Sequence, residues 1–213
     1  MFQTLFDFLF KQYGDYSTLH IVLELVAAAF GVWSVWFAKK ENIWVYPTGL
    51  LSTGIYVYLL YQWSLLGDML INAYYFAMSV YGWYVWTRKV DDTHFIPITR
   101  TSIKEKWISG WLFVASILFV YLVYKGFDRW NFWSARIDTL TTALFFVAMW
   151  LMAKKKIENW IYWIIGDLIS IPLYFYKGYT FTAFQYFIFL VIAIFGYISW
   201  KTHLRNNLQT ASR

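Results

Sequence analysis

Tyr81-Gly82-Trp83-Tyr84-Val85-Trp86 returns 114 residues later as Phe195-Gly196-Tyr197-Ile198-Ser199-Trp200. Working outward, Glu24-Leu25-Val26 answers to Asp138-Thr139-Leu140 and Trp36 to Trp150, at the same offset. Lys39-Lys40-Glu41-Asn42 answers to Lys154-Lys155 and then Glu158-Asn159, which predicts short insertions at the second copy's turns. Residues 24–86 and 138–200 therefore read as two copies of one three-span unit. Repeats of this kind in membranes commonly meet around a substrate path near the bilayer midplane.

The composition restricts the class. Of 213 residues, 60% are hydrophobic, 24% aromatic and only 14% charged. Soluble domains carry about 25% charged residues, so most of this chain belongs in lipid. It has no cysteine, which excludes disulfides and thiolate sites. The net charge of +6 sits in short clusters between apolar runs, a topological pattern rather than a nucleic-acid face.

Apolar runs fall near 18–38, 43–62, 67–87, 107–125, 136–153, 158–176 and 180–200. Each approaches the roughly 20 residues that a helix needs to cross a bilayer, and helices satisfy their own backbone groups there. The expected fold is an all-α integral membrane protein: seven transmembrane helices in a 3+1+3 arrangement, the fourth being a linker. Three spans leave the chain on the opposite face, and one extra crossing makes the two units parallel. The expected organisation is an N-terminal interfacial segment (1–16), a first three-helix unit (18–87), a cytoplasmic loop and linker helix (88–125), a second unit (136–201) and a cytoplasmic tail (202–213). Thirteen Lys and Arg fall on the side holding Lys39, Arg88, Lys154 and the C-terminus, against five on the other. That bias predicts a cytoplasmic C-terminus and an external N-terminus.

Four carboxylates lie in or beside the spans. Glu24 and Asp138 share an offset position near the outer ends, where they either cap helices or pair with a base such as Arg136. Asp68 follows Gly67 and is either an N-cap or a ligand contact. Asp167 is deeper, seven or more residues from either end of its span. A charge at a helix centre costs roughly 2.5–3.5 kcal/mol, so such a group faces a cavity or a partner. Trp160, Trp163, Asp167, Ser170 and Tyr174 form one helical stripe; it is either a binding face or, alternatively, Trp160 in an interfacial belt with the rest in interhelical packing. Aromatic faces beside a carboxylate suit a flat cation. Asn72 and Gln185 place amides at similar depth on the third helix of each unit, for interhelical bonds or for ligand. Pro47 and Pro172 interrupt their spans, as fixed kinks or as hinges. His20, His94 and His203 lie at edges or in loops, so neither a metal cluster nor a buried catalytic base is expected, and no phosphate-binding loop occurs. No cofactor, nucleic acid or enzyme activity is expected.

The second unit reads Glu158-Asn159-Trp160-x-x-Trp163-x-x-x-Asp167-x-x-x-Ile171-Pro172-Leu173-Tyr174, then Lys177-Gly178, Thr182-Ala183, Tyr186 and Gly196-x-x-x-Trp200. With the 3+1+3 layout, this resembles the PnuC family of bacterial nicotinamide riboside transporters. The first unit matches more loosely through Gly67-Asp68, Asn72, Tyr75 and Tyr81-Gly82-Trp83-x-x-Trp86. The resemblance implies a fold similar to the SWEET sugar transporters and facilitated diffusion of nicotinamide riboside across the bacterial inner membrane. It further implies trapping of the substrate by a cytoplasmic nicotinamide riboside kinase. Some family members carry thiamine or riboflavin instead. On this reading Trp163 stacks on the pyridinium ring and Asp167 serves the cation or ribose. Gln185 and Asn72 bond carboxamide or hydroxyls, Tyr75, Tyr186 and Tyr174 line the path, and Asp68 stands at its edge. The exposed aromatic surface makes a homo-oligomer in membrane lipid the expected assembly. A seven-helix ligand-sensing receptor is the alternative from another class, and proton coupling through Asp167 a third.

Overall fold

A computed structural model of the chain describes residues 17–63, 65–89, 96–128, 130, 133–177 and 180–211. The expected interfacial segment 1–16 and His94 lie outside them. Among the described residues the chain forms seven helices: α1 Thr18–Lys39, α2 Val45–Gln62, α3 Leu66–Thr87, α4 Ile103–Gly126, α5 Trp133–Ala153, α6 Asn159–Tyr176 and α7 Thr180–Ala211. Four carry stretches long and apolar enough to cross a membrane: α1, α4, α5, and α7 over Thr182–Asn206. α7 runs on to Ala211, so the tail expected from residue 202 begins as its continuation.

The helix ends follow local chemistry. Ser17 caps α1 by accepting from the His20 backbone N–H. Ser102 and Glu105 form a reciprocal capping box at the start of α4. Two sequence expectations fail here. Pro47 lies in the first turn of α2, where its missing N–H costs nothing, so only Pro172 stands inside a helix. Asp68 is not the N-cap of α3. Leu65 holds that position without a side-chain bond, and Asp68 sits in the first turn, where helix polarity favours an acid.

Packing closes a ring. α1 packs on α2, α2 on α3, α3 on α5, α5 on α6, α6 on α7, and α7 back on α1. α4 lies mainly against α5, with a small contact to α3. It turns Ser109, Ser116 and Val120 inward and leaves Trp107, Trp111, Val114, Leu118 and Leu122 exposed.

The turns after α1 and α5 correct the expected insertions. Glu41 N–H donates to the Ala38 carbonyl and Lys155 N–H to that of Met152; Asn42 donates to Phe37, Lys156 to Leu151. Val45 donates to Asn42, and Asn159 to Lys156. Glu41 and Lys155 both adopt left-handed backbone, at φ 55° and 52°. The offset is 114 throughout, so Glu41 matches Lys155 rather than Glu158. The similar letters misaligned two turns that have the same shape.

Close approach repeats at this offset as well. A Cβ at Gly82 would fall 2.3 Å from the Tyr46 ring, and one at Gly196 2.7 Å from the Trp160 ring. Each glycine lets a large ring on the second helix of its half lie against the third. Trp160 is fully buried and meets Trp200 edge to face at 5.6 Å, so it is a packing residue and no part of an interfacial belt.

The connection from α3 to α4 also does more than link. Thr99 pairs with the α5–α6 turn, accepting from Ile157 N–H and donating to the Lys155 carbonyl. Thr101 donates to Glu158 from its backbone N–H and its hydroxyl, and Ile98 is buried among core residues of both halves.

Candidate functional site

α6 carries the stripe predicted from sequence, and the ring turns it inward. Asp167 and Ser170 are 2% and 1% exposed, while Trp163 and Tyr174 are partly buried. The buried Asp167 Oδ2 and Ser170 Oγ have no hydrogen-bond partner.

Gly166, beside Asp167, explains the wall next to it. A Cβ there would come within 2.2 Å of the Phe145 ring, so only glycine lets that ring lie against α6. Phe145 stacks on Trp163 at 5.3 Å and on Tyr186 at 5.9 Å, with ring planes 27° and 10° apart. Tyr186 stacks in turn on Tyr174 at 5.1 Å, and the two hydroxyls are hydrogen-bonded. Four near-parallel rings from α5, α6 and α7 thus line one side.

The first half contributes through α3. Tyr74 stacks on Phe146 at 3.9 Å and donates its hydroxyl to the Phe146 carbonyl at 2.9 Å. Tyr75 stands edge-on to Phe146 and within electrostatic range of Tyr186 and Asp167. A carboxylate near aromatic side chains favours a flat cation: ring faces attract positive charge, and the acid supplies the counter-charge.

The structure therefore gathers Trp163, Asp167, Tyr174, Tyr186 and Tyr75. Asn72, Gln185 and Asp68 make no ring contact of this kind among the described residues. The Asn72 amide donates to the Asp68 carbonyl of its own helix at 3.0 Å. Gln185 is partly buried one residue before Tyr186, which turns it about 100° around α7 from that ring. Asp68 belongs to a separate cluster, within electrostatic range of Asp138 and Lys177. Asp138 accepts from the Lys177 amine and from the Tyr124 hydroxyl at 3.1 Å, so its partner is not the exposed Arg136. Sequence reasoning missed Phe145, Phe146 and Tyr74. The α5 run Ala143-Leu-Phe-Phe-Val-Ala-Met has no polar residue to flag a site. The glycine at 166 was the usable signal.

At the opposite end of the bundle, where the lysines collect, the halves are fastened together. Trp86 Nε1 donates to the Met152 carbonyl at 3.2 Å and Trp200 Nε1 to the Ala38 carbonyl at 3.0 Å, with donors and acceptors both 114 residues apart. Lys155 binds Glu41 at 2.8 Å.

Stacked aromatic rings near one buried acid, inside a closed ring of helices of which several are long and apolar enough to cross a membrane, fit the class of multi-pass membrane transporters. A sequence model for the family described as nicotinamide mononucleotide transporter matches residues 21–202. The chain belongs to that transporter family and is not an enzyme. It is 25% identical over 216 residues to the nicotinamide riboside transporter PnuC of Escherichia coli strain K12, covering 86% of each chain. It is 26% identical to the riboflavin/roseoflavin transporter RibM of Streptomyces davaonensis, covering 88% of this chain and 89% of that one. The crystal structure of the vitamin B3 transporter PnuC shares the fold, with a TM-score of 0.64 at 24% identity over 86% of this chain and 82% of the other.

Proposed function

We propose that this protein carries nicotinamide riboside across the bacterial inner membrane by facilitated diffusion, alternating access between two parallel three-helix units. The units are α1–α3 and α5–α7, with α4 as the linker that keeps them parallel, in the manner of the SWEET sugar transporters. The constant 114-residue offset supports this arrangement, as do the reciprocal contacts of α1 with α7 and α3 with α5. The lysine-rich end faces the cytoplasm, where a nicotinamide riboside kinase traps the product and makes uptake net. Oligomerisation through exposed aromatic faces belongs to the same reading.

One observation carries the substrate: Asp167, buried with its Oδ2 unpartnered, one helical turn from Trp163 and within electrostatic range of Tyr75. Nicotinamide riboside offers a cationic pyridinium for the rings and carboxylate, with ribose hydroxyls and a carboxamide for Ser170, Tyr186 and Gln185. Binding of labelled nicotinamide riboside to purified protein, and counterflow in liposomes, test it. Asp167→Asn and Gln185→Ala should both lower uptake; undiminished uptake in both removes the site. Binding without counterflow identifies a receptor instead. The similarity to RibM supports a second reading, a riboflavin carrier. Riboflavin has no fixed positive charge, so its uptake should survive Asp167→Asn while that of nicotinamide riboside, or of cationic thiamine, should not.

A further inference from the structure

The lysine-rich end holds a contact that packing alone does not require. Glu41 and Lys155 are offset partners, so they meet where the repeat folds onto itself, and two identical residues there would set like charges against each other. The helix C-terminal position they occupy usually takes glycine, because a side chain in left-handed backbone is strained. Both turns nevertheless keep a long charged residue in that conformation. Lys155 is 4% exposed, held between the Glu41 carboxylate and the face of Trp86 at 4.6 Å. Lysines are rarely buried to this degree unless paired. His203, on the end of α7, rests on the other Glu41 oxygen at 3.2 Å. At the far end the Asp138–Lys177 pair lies within the second half, and no such bond joins the halves among the described residues.

We infer that Glu41 and Lys155 are the latch that shuts the lysine-rich end during the transport cycle, with the Trp86 and Trp200 bonds as its flanks. The inference rests on the alternating-access reading. Opening this end separates α1 from α7 and α3 from α5, which breaks the ion pair. Its strength therefore sets how often the site opens to that side.

The absence of native cysteine provides the assay. Met149, 6% exposed in the core cluster behind the latch, is changed to Cys and labelled with a water-soluble maleimide on purified protein. Labelling of this parent should be slow. Lys155→Glu and Glu41→Lys should each speed it on the order of tenfold, within the range usual for a two-state coupling. The exchange Glu41→Lys/Lys155→Glu should restore slow labelling, because each turn already accommodates the other's residue at its counterpart. Glu41→Gln, which removes charge and keeps shape, should give an intermediate rate and covers the case in which a reversed charge prevents folding. Single variants that label at the parent rate, or an exchange as fast as either single, overturn the latch. Labelling needs no substrate. A parent that labels as expected yet moves no nicotinamide riboside overturns the transport reading alone.

Discussion

α1 and α5 are offset partners, yet 11% of the apolar window of α1 is buried against 78% of that of α5. The linker accounts for the contrast, since α4 covers the outer face of α5 while α1 keeps Leu19, Val22, Leu25, Val26, Trp33 and Trp36 exposed. The inner faces have diverged as well. Where the first half sets Gly31 against Ser52, the second sets Phe145 against Gly166. The residue matching Asp167 is Thr53, whose hydroxyl donates to the Gly49 carbonyl of its own helix at 2.8 Å. The residue matching Trp163 is Gly49, fitted against Ser34 and Ser79. At these matched positions the first half packs small groups, and the second carries the aromatic and charged chemistry, to which the first half adds Tyr74 and Tyr75. A covered helix can exchange lipid-facing bulk for interior specialisation, whereas a bare one must keep its apolar surface.

Four experiments break or sharpen this contrast. Phe145→Ala should cost about 3–5 kcal/mol of stability in detergent, as usual for a buried ring, while Gly31→Ala should stay within about 1 kcal/mol of neutral because its Cβ meets only the Ser52 hydroxyl at 3.1 Å. Equal losses, read from thermal unfolding, would erase the distinction. Gly82→Ala and Gly196→Ala should each cost about 1–3 kcal/mol, since a ring must shift in both; one tolerated change would show that the halves have diverged there too. Asp167→Asn should weaken binding of nicotinamide riboside by at least about tenfold, or about 1.4 kcal/mol. Thr53→Ala should leave affinity unchanged, and calorimetry separates the two. Smallest of all, Trp86→Phe and Trp200→Phe should each lose about 1 kcal/mol, one interhelical hydrogen bond apiece. Unequal losses beyond that figure would argue against equivalent roles at the two seams.

The sequence by itself determined the helices, the 114-residue recurrence and the depth of Asp167. Each is written in local apolar runs or in the price of a charge within them, and needs no knowledge of what packs where. Its misreadings arose where identity of letters competed with geometry. Glu158 was matched to Glu41, although backbone register pairs Glu41 with Lys155. The amide of Asn72 also gives a hydrogen bond to its own helix, which the spacing of polar residues does not reveal. Only the tertiary structure decided that Phe145 stands on Gly166, that Tyr75 meets Phe146 from the other half, and that Lys155 closes on Glu41. Those contacts join residues tens to more than a hundred positions apart, and helix packing, rather than the pattern along any one helix, sets which of them meet.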